Sequence, residues 1–244
     1  MQEIIIKENA IFIADAHENE NRRGFWEFLQ ALKKGEIQTP QIFLMGDIFD
    51  LLVYEVKATH EFALPYIELL EELAKKIEIV YLEGNHDFNL ANFFTRVKVF
   101  SVDKQPLLCK FEDNAHTFVE LAHGDIFLKP FLQFCLKSLR NHYLLCFLNF
   151  INNLCCLKIT QKILKNQTKK QLVRKINNFD LIVKNRIKNY KTKFIIEGHY
   201  HQDVFFEFEN TKYINLATFA YKKSFFIVKY EPEIRFHKIE LKGA

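Results

Sequence analysis

Apolar and polar positions fall in blocks along this chain. Short apolar runs rich in β-branched and aromatic residues stop abruptly at polar or glycine-containing clusters. Ile11 to Ala14 runs into Asp15, Ile42 to Met45 into Gly46 and Asp47, and Ile79 to Leu82 into Glu83, Gly84 and Asn85. Phe118 to Ala122 before His123 and Phe194 to Gly198 before His199 repeat the pattern. Runs of this length, bounded by turn residues, predict buried strands. Between them Phe25, Phe28, Leu29 and Leu32 recur at i, i+3, i+4, i+7, and Leu70, Leu73, Ala74 and Ile77 repeat that spacing, which predicts amphipathic helices. Alternating strands and helices predict an α/β fold with its polar residues collected at the carboxyl ends of strands.

Two stretches depart from this rhythm. Val204 to Phe208, Lys212 to Leu216, Phe225 to Tyr230 and Ile234 to Leu241 read as consecutive strands, an antiparallel meander or a second sheet. From Phe127 to Lys175 the pattern is helical, with Pro130 suited to a first helical turn. Leu144, Phe147, Leu148, Ile151, Leu154 and Cys155 form an apolar stripe, expected opposite Asn149, Asn152 and Asn153, and Lys158, Lys162, Lys165 and Lys169 line one helical face. Asn141 to Leu157 carries no Lys, Arg, Asp or Glu but is short for a membrane span. The chain is therefore expected to be one domain, 1–244, with a helical insertion, or lid, over 127–175.

Composition narrows the classes. Apolar residues make up 49% of the chain, including 26 Phe, which excludes intrinsic disorder. The first twenty residues lack a secretory pattern, so a cytoplasmic location is expected. Five cysteines, Cys109, Cys135, Cys146, Cys155 and Cys156, are an odd number without zinc-type spacing, and reduced, mostly buried thiols are expected. Net charge is only +4, yet Lys158 to Lys193 holds twelve Lys and Arg against the single acid Asp180, which points to an anionic partner.

The strand-end clusters carry the chemistry. Alone, Asp15 or any one of them is ordinary turn chemistry. Together, Asp15-Ala16-His17, Gly46-Asp47-Ile48-Phe49-Asp50, Gly84-Asn85-His86-Asp87, His123-Gly124-Asp125 and Gly198-His199-Tyr200-His201 supply Asp, Asn and His, the donors that divalent first-row metals take. Five of the nine histidines lie there; His60, His116, His142 and His237 are scattered. Both imidazoles of His199 and His201 would point to one face of a strand. Gly46, Gly84, Gly124 and Gly198 suit tight turns, although each alone is as readily a plain loop glycine. Asp50 and Asp87 are placed to orient His86 or a ligand imidazole, and Asp125 suits a turn or cap.

Taken in order, the five clusters resemble the signature blocks of the calcineurin-like metallophosphoesterases, and the resemblance runs from residue 11 to 201. It implies a β-sandwich flanked by helices and a dinuclear metal site. Asp15, His17 and His201 would hold one divalent ion, Asn85, His123 and His199 the other, with Asp47 between them. Mn²⁺ is the expected metal, with Fe or Zn²⁺ as alternatives. Hydrolysis would proceed by in-line attack on phosphorus without a phosphoenzyme, with His86 and Asp87 as the catalytic pair and His86 protonating or hydrogen-bonding the departing oxygen.

Within that superfamily the layout looks most like the UDP-2,3-diacylglucosamine hydrolases of lipid A biosynthesis, which insert a helical lid after the His-Gly-Asp block. The resemblance implies release of UMP and 2,3-diacylglucosamine 1-phosphate and peripheral association with the inner membrane. Phe131, Phe134, Leu136, Leu139, Phe147 and Ile151 would then line an acyl channel. Lys158, Lys162, Lys165 and Lys169 would meet the nucleotide diphosphate or an anionic membrane. One residue departs from the pattern: the best-known branch has Arg where this chain has His86. A proton donor matters more for an alkoxide leaving group than for a phosphate monoester. A generic phosphodiesterase or nuclease is thus the second reading, although the basic segment lacks interleaved aromatics. A non-catalytic scaffold predicts eroded ligands, whereas every ligand position is filled here.

Overall fold

The computed structural model describes residues 3–112, 117–169, 171–230 and 233–241. Its strands are β1 (Ile4–Ile6), β2 (Ile11–Ile13), β3 (Gln41–Leu44), β4 (Leu52–Val53), β5 (Glu78–Leu82), β6 (Asp87–Phe88), β7 (Lys98–Phe100), β8 (Leu107–Phe111), β9 (Phe118–Ala122), β10 (Phe194–Glu197), β11 (Val204–Phe208), β12 (Thr211–Asn215), β13 (Ser224–Lys229) and β14 (Arg235–Glu240). One sheet runs β14-β13-β2-β3-β5-β7 and the other β1-β8-β9-β10-β12-β11, while β4 and β6 form a small parallel pair. β2, β3, β5 and β7 are mutually parallel, as are β9, β10 and β12.

The sheets face each other. Phe12, Phe43, Val80 and Leu82 of one pack with Cys109, Val119, Leu121 and Ile196 of the other in a common core. Alternate residues of the first sheet, Ile11, Ile13, Ile42, Leu44 and Tyr81, point outward against helices α1 (Gly24–Lys33) and α2 (His60–Leu73). This explains why the strands read as continuous apolar runs: both faces are covered. The expected β-sandwich flanked by helices is the fold found.

The C-terminal strands do not form one meander. β11 and β12 make a hairpin in one sheet and β13 and β14 a hairpin in the other. α2 ends at Leu73, short of the spacing that runs on to Ile77; Ile77 instead donates its amide to Leu73 O in a closing turn.

The insertion is helical, as expected, with α3 (Pro130–Leu139), α4 (His142–Leu154) and α5 (Lys158–Gln167), and Pro130 opens α3. Its orientation differs from the expected one. Asn152 is buried and accepts the Thr160 amide, whereas Phe147 and Leu154 are exposed. The thiols also differ: Cys109 is buried, but Cys146, Cys155 and Cys156 are exposed. Helices α6 (Phe179–Arg186) and α7 (Phe219–Lys222) complete the chain. α6 covers the outer face of the second sheet through Phe179 and Val183.

Candidate metal centre

Five strands deliver the site. β2, β3 and β5 from one sheet and β9 and β10 from the other end immediately before Asp15, Gly46-Asp47, Gly84-Asn85, His123 and Gly198-His199. The loops cross-link at once. His199 N donates to Asp15 Oδ2 at 2.8 Å, Gly198 N to His123 O at 2.9 Å, and His17 N to Asp47 O at 3.0 Å.

The backbone there is unusual. Asp15, His17, Asp47, His199 and His201 have φ of 54°, 46°, 50°, 63° and 56°. Non-glycine residues in the left-handed region cost about 1–3 kcal/mol each and cluster at functional sites. His199 and His201 are therefore not in a strand, and alternation does not bring them together. His201 turns toward Asp15, its Nε2 3.0 Å from Oδ1, while the His199 ring packs 5.1 Å from that of His123. Asn215 secures this loop, donating to Gly198 O at 2.6 Å and accepting the Gln202 amide at 2.8 Å.

The ligand atoms of Asp15, His17 and His201 lie within 4.8 Å of one another, and those of Asp47, His123 and His199 form a second such group. Asp47 also belongs to a third, with His17 and His86, and so stands between the two. Asn85 sits beside it, because His86 N donates to Asp47 Oδ1 at 2.8 Å. Among the described residues, the buried atoms Asn85 Oδ1 and His123 Nε2 have no hydrogen-bond partner, and Asp15 Oδ1 has none of good geometry although His201 Nε2 lies 3.0 Å away. His123 Nε2 approaches Asp47 Oδ2 to 3.3 Å without hydrogen-bond geometry, as expected of donors converging on a common point. Buried polar atoms left unpaired cost about 1–3 kcal/mol each, which a bound cation would relieve.

Two ring nitrogens are held from behind. His123 Nδ1 lies 2.9 Å from Met45 O, and His201 Nδ1 contacts Leu172 O, which directs each Nε2 into the site. Charge follows the same plan. Burial opposes ionisation of His123, yet the Asp47 carboxylate raises it well above the usual histidine range. Burial opposes ionisation of Asp47 in turn, and the charge of His123 holds it well below the usual carboxylate range. His201 is raised against its burial by Asp15. The residues present fit divalent metal ions.

Close approach decides two glycines. A Cβ on Gly84 would lie 2.2 Å from Asp47 Oδ1, and one on Gly46, where φ is +89°, would lie 2.4 Å from His123 Nδ1. Neither is a plain loop glycine.

His86 is buried with Nδ1 2.8 Å from Asp50 O and Nε2 4.0 Å from Asp47 Oδ2. Asp50 Oδ1 lies 3.4 Å from His17 Nδ1, so Asp50 approaches a ligand imidazole as expected. Asp87 does not. Its carboxylate accepts the Asp47, Ile48 and Gly84 amides at 2.9, 2.6 and 3.0 Å and the Tyr81 hydroxyl at 2.6 Å. It shapes the backbone of two ligand loops. Burial, then the charge of Asp47, pushes it up to about 7.

A family model for calcineurin-like phosphoesterases matches residues 9–203. The chain belongs to this family. Among curated proteins, the UDP-2,3-diacylglucosamine hydrolase of Histophilus somni (strain 129Pt) is 29% identical over 84 residues. That match covers 34% of this chain and 36% of the relative, about a third of its length. Similar solved structures include an archaeal phosphodiesterase, with a TM-score of 0.47 and 13% identity over 95% of this chain and 99% of the other. The phosphoesterase Yfce from E. coli has a TM-score of 0.44 and 12% identity over 96% and 99%. Family membership and the Asp and His groups together support a metal-dependent phosphoesterase.

The substrate-side expectations fare less evenly. A cavity of about 250 Å³ beside Asn85 is lined by Leu136, Leu139 and Ile151, but Phe131, Phe134 and Phe147 are exposed and take no part in it. Lys158, Lys162, Lys165 and Lys169 are exposed and do not line it either; Lys165 borders a separate cleft beside Asn19 and Glu20. α5 turns its lysine face away because the apolar Ile159 and Ile163 take the inner one. Arg186, counted in the basic segment, is buried against Glu197 at 2.6 Å and holds Gly124 O at 3.0 Å. His60 bonds Val53 and Tyr54 carbonyls, His142 pairs with Glu55 at 3.0 Å, His237 lies on β14, and His116 lies outside the described residues. Sequence reasoning missed Arg140 and Asn215. Asn215 follows an apolar run at a strand end, the same signal that marked the ligands, whereas Arg140 had none.

Proposed function

We propose that this chain hydrolyses the diphosphate of UDP-2,3-diacylglucosamine to UMP and 2,3-diacylglucosamine 1-phosphate, using a dinuclear centre, with Mn²⁺ as the expected metal. Asp15, His17 and His201 would hold one ion and Asn85, His123 and His199 the other, with Asp47 shared. When bound, such ions supply Lewis acidity, an activated water and neutralisation of phosphoryl charge.

The observation that carries the substrate reading is the cavity between Asn85 and the lid. Leu51, Val53, Phe88, Leu145, Leu148 and Ile163 are among its mostly apolar walls, so a substrate phosphate at Asn85 has a path for an apolar chain beside it. Asn149 Oδ1 and Asn152 Nδ2, on residues lining the same cavity, are buried without partners among the described residues and suit the polar linkages of an acylated sugar. The partial likeness to a UDP-2,3-diacylglucosamine hydrolase supports the same reading.

His86 Nδ1 donates to the Asp50 carbonyl oxygen, so only the doubly protonated ring also carries a proton on Nε2. Nε2 is the ring atom that faces Asp47, and from the imidazolium form it would donate to the departing oxygen. Asp87 keeps the Asp47 and Gly84 loops in register. Purified protein incubated with Mn²⁺ and the radiolabelled precursor is expected to release UMP; no release above an Asp47→Ala control refutes the substrate.

His86 also supports a second reading, a general phosphodiesterase, since a proton donor helps most with basic leaving groups. Turnover of simple phosphodiesters but not of the sugar nucleotide would select it.

A further inference from the structure

A second group of reactive side chains lies where the lid meets the core. His142 stands in the first turn of α4, and Cys146 follows it by four residues on the same helical face. Cys146 Sγ lies 3.6 Å from His142 Nε2, and His142 Nδ1 lies 3.0 Å from Glu55 Oε1. The Glu55 side chain is only 5% exposed, and its other oxygen accepts Asn89 Nδ2 at 3.0 Å. Asn89 Nδ2 also donates to Arg140 O, in the turn that leads into α4. The carboxylate is thereby fixed in front of the ring. Val53 and Val56, on either side of Glu55, and Leu145, beside Cys146, line the apolar cavity, so the three groups bridge the seam between its two walls.

The imidazole spends its two nitrogens on different partners, and that decides what the group can do. With Nδ1–H donated to the carboxylate, Nε2 is left to accept the thiol proton. Nucleophile, base and orienting acid stand in the order that activates a thiol. The three donors do not converge on one point, and among the described residues the clusters that could hold a metal ion do not include them. Cys146 is exposed, outside any enclosed pocket of the kind that holds a carbonyl substrate. A small disulfide needs only access to the sulfur, which an exposed thiol gives. Cys155 and Cys156, exposed on the same lid, have no hydrogen bond to an imidazole among the described residues.

We propose that Cys146, His142 and Glu55 form a nucleophilic thiol site that takes low-molecular-weight disulfides. The thiol proton passes to His142 Nε2 while Cys146 Sγ attacks one sulfur of a disulfide RSSR. A new sulfur–sulfur bond forms as the old one breaks, and the leaving thiolate takes the proton from His142 to depart as RSH. Cys146 is oxidised to a mixed disulfide and half of the reagent is reduced. The site uses neither the metal centre nor the proposed substrate, so its failure leaves that reading standing. The full-length protein is treated near neutral pH with bis(hydroxyethyl) disulfide, which is uncharged. The free thiol left at each cysteine is then quantified by alkylation and peptide mass spectrometry. Cys146 should react about tenfold or more faster than Cys155 and Cys156, because an unassisted thiol is only a few per cent thiolate near neutrality. His142→Gln should bring Cys146 down to the rate of those two and Glu55→Gln should give an intermediate rate, while Cys155 and Cys156 keep their own rates in both variants. If His142→Gln alters the Cys155 and Cys156 rates by disturbing the lid, Glu55→Gln decides in its place. Cys146 reacting no faster than Cys155 and Cys156 in the wild type, or at a rate indifferent to the deciding substitution, would overturn the proposal.

Discussion

Arg140 Nη2 lies 2.8 Å from Asp125 Oδ2 and 2.9 Å from the carbonyl oxygen of Gly84. One nitrogen thereby joins the corner between α3 and α4 to two ligand loops, since Gly84 precedes Asn85 and Asp125 follows His123 by two. The guanidinium also stacks over Phe88 at 5.5 Å, and the Arg140 carbonyl accepts Asn89 Nδ2 at 3.1 Å. α3 buries no residue fully and α4 only Leu145 and Asn152, so this polar junction is a main attachment of the lid.

Arg140→Ala should therefore release the lid. Removing one partner of a largely buried pair is expected to cost about 3 kcal/mol. Hydrogen exchange in α3 and α4 should rise while the sandwich strands stay protected. Asp125→Asn should reproduce part of the effect, and a double variant should fall short of the sum of the singles.

Gly84→Ala tests the close packing behind the metal centre. The new Cβ, 2.2 Å from Asp47 Oδ1, must displace that carboxylate. A misplacement of about 1 Å can cost on the order of 100-fold in rate. Metal content and turnover should fall together, with the far-ultraviolet circular dichroism unchanged.

His86→Asn should lower kcat about 100- to 10,000-fold if His86 is the proton donor. Metal content should be retained, because His86 is not among the proposed ligands. The deficit should shrink with aryl phosphate substrates, whose leaving groups need little protonation; an equal deficit for all leaving groups would assign His86 to binding instead.

Glu71 gives a pH signature of stability remote from the centre. Partial burial pushes its carboxyl up, but the Thr95 hydroxyl and the amides of Arg96, Thr95 and Val97 outweigh it and bring it to about 2, from an ordinary 4.5. A depressed folded-state value means the contribution is complete above about pH 4.5 and is lost as pH falls toward about 2. Glu71→Gln should destabilise the protein by about 1–2 kcal/mol at pH 7. The gap between the two melting temperatures should close across that acid window.

The sandwich and the ligands were legible because one physical pattern marks both. A strand covered on two faces must be apolar throughout, so Ile42-Phe43-Leu44 stands out, and the polar residue that ends it stands at a sheet edge. Left-handed backbone at Asp47 or His199 leaves no such trace, nor does the assignment of β11 and β13 to different sheets, which depends on pairing partners distant in sequence. In the lid the pattern misled. Phe147 and Leu148 are equally apolar, yet one faces outward and the other lines the cavity, because α4 has two apolar sides. Arg140 looks like any surface cation in sequence, and only the fold brings it beneath Gly84.

Metal stoichiometry bears most directly on the central proposal. Protein saturated with Mn²⁺ and freed of excess should contain about two ions per chain by elemental analysis, as a shared-carboxylate dinuclear site requires. Anomalous scattering should place them between Asp15, Asp47 and His123. Binding of no more than one ion under saturation, or density away from Asp47, would contradict it.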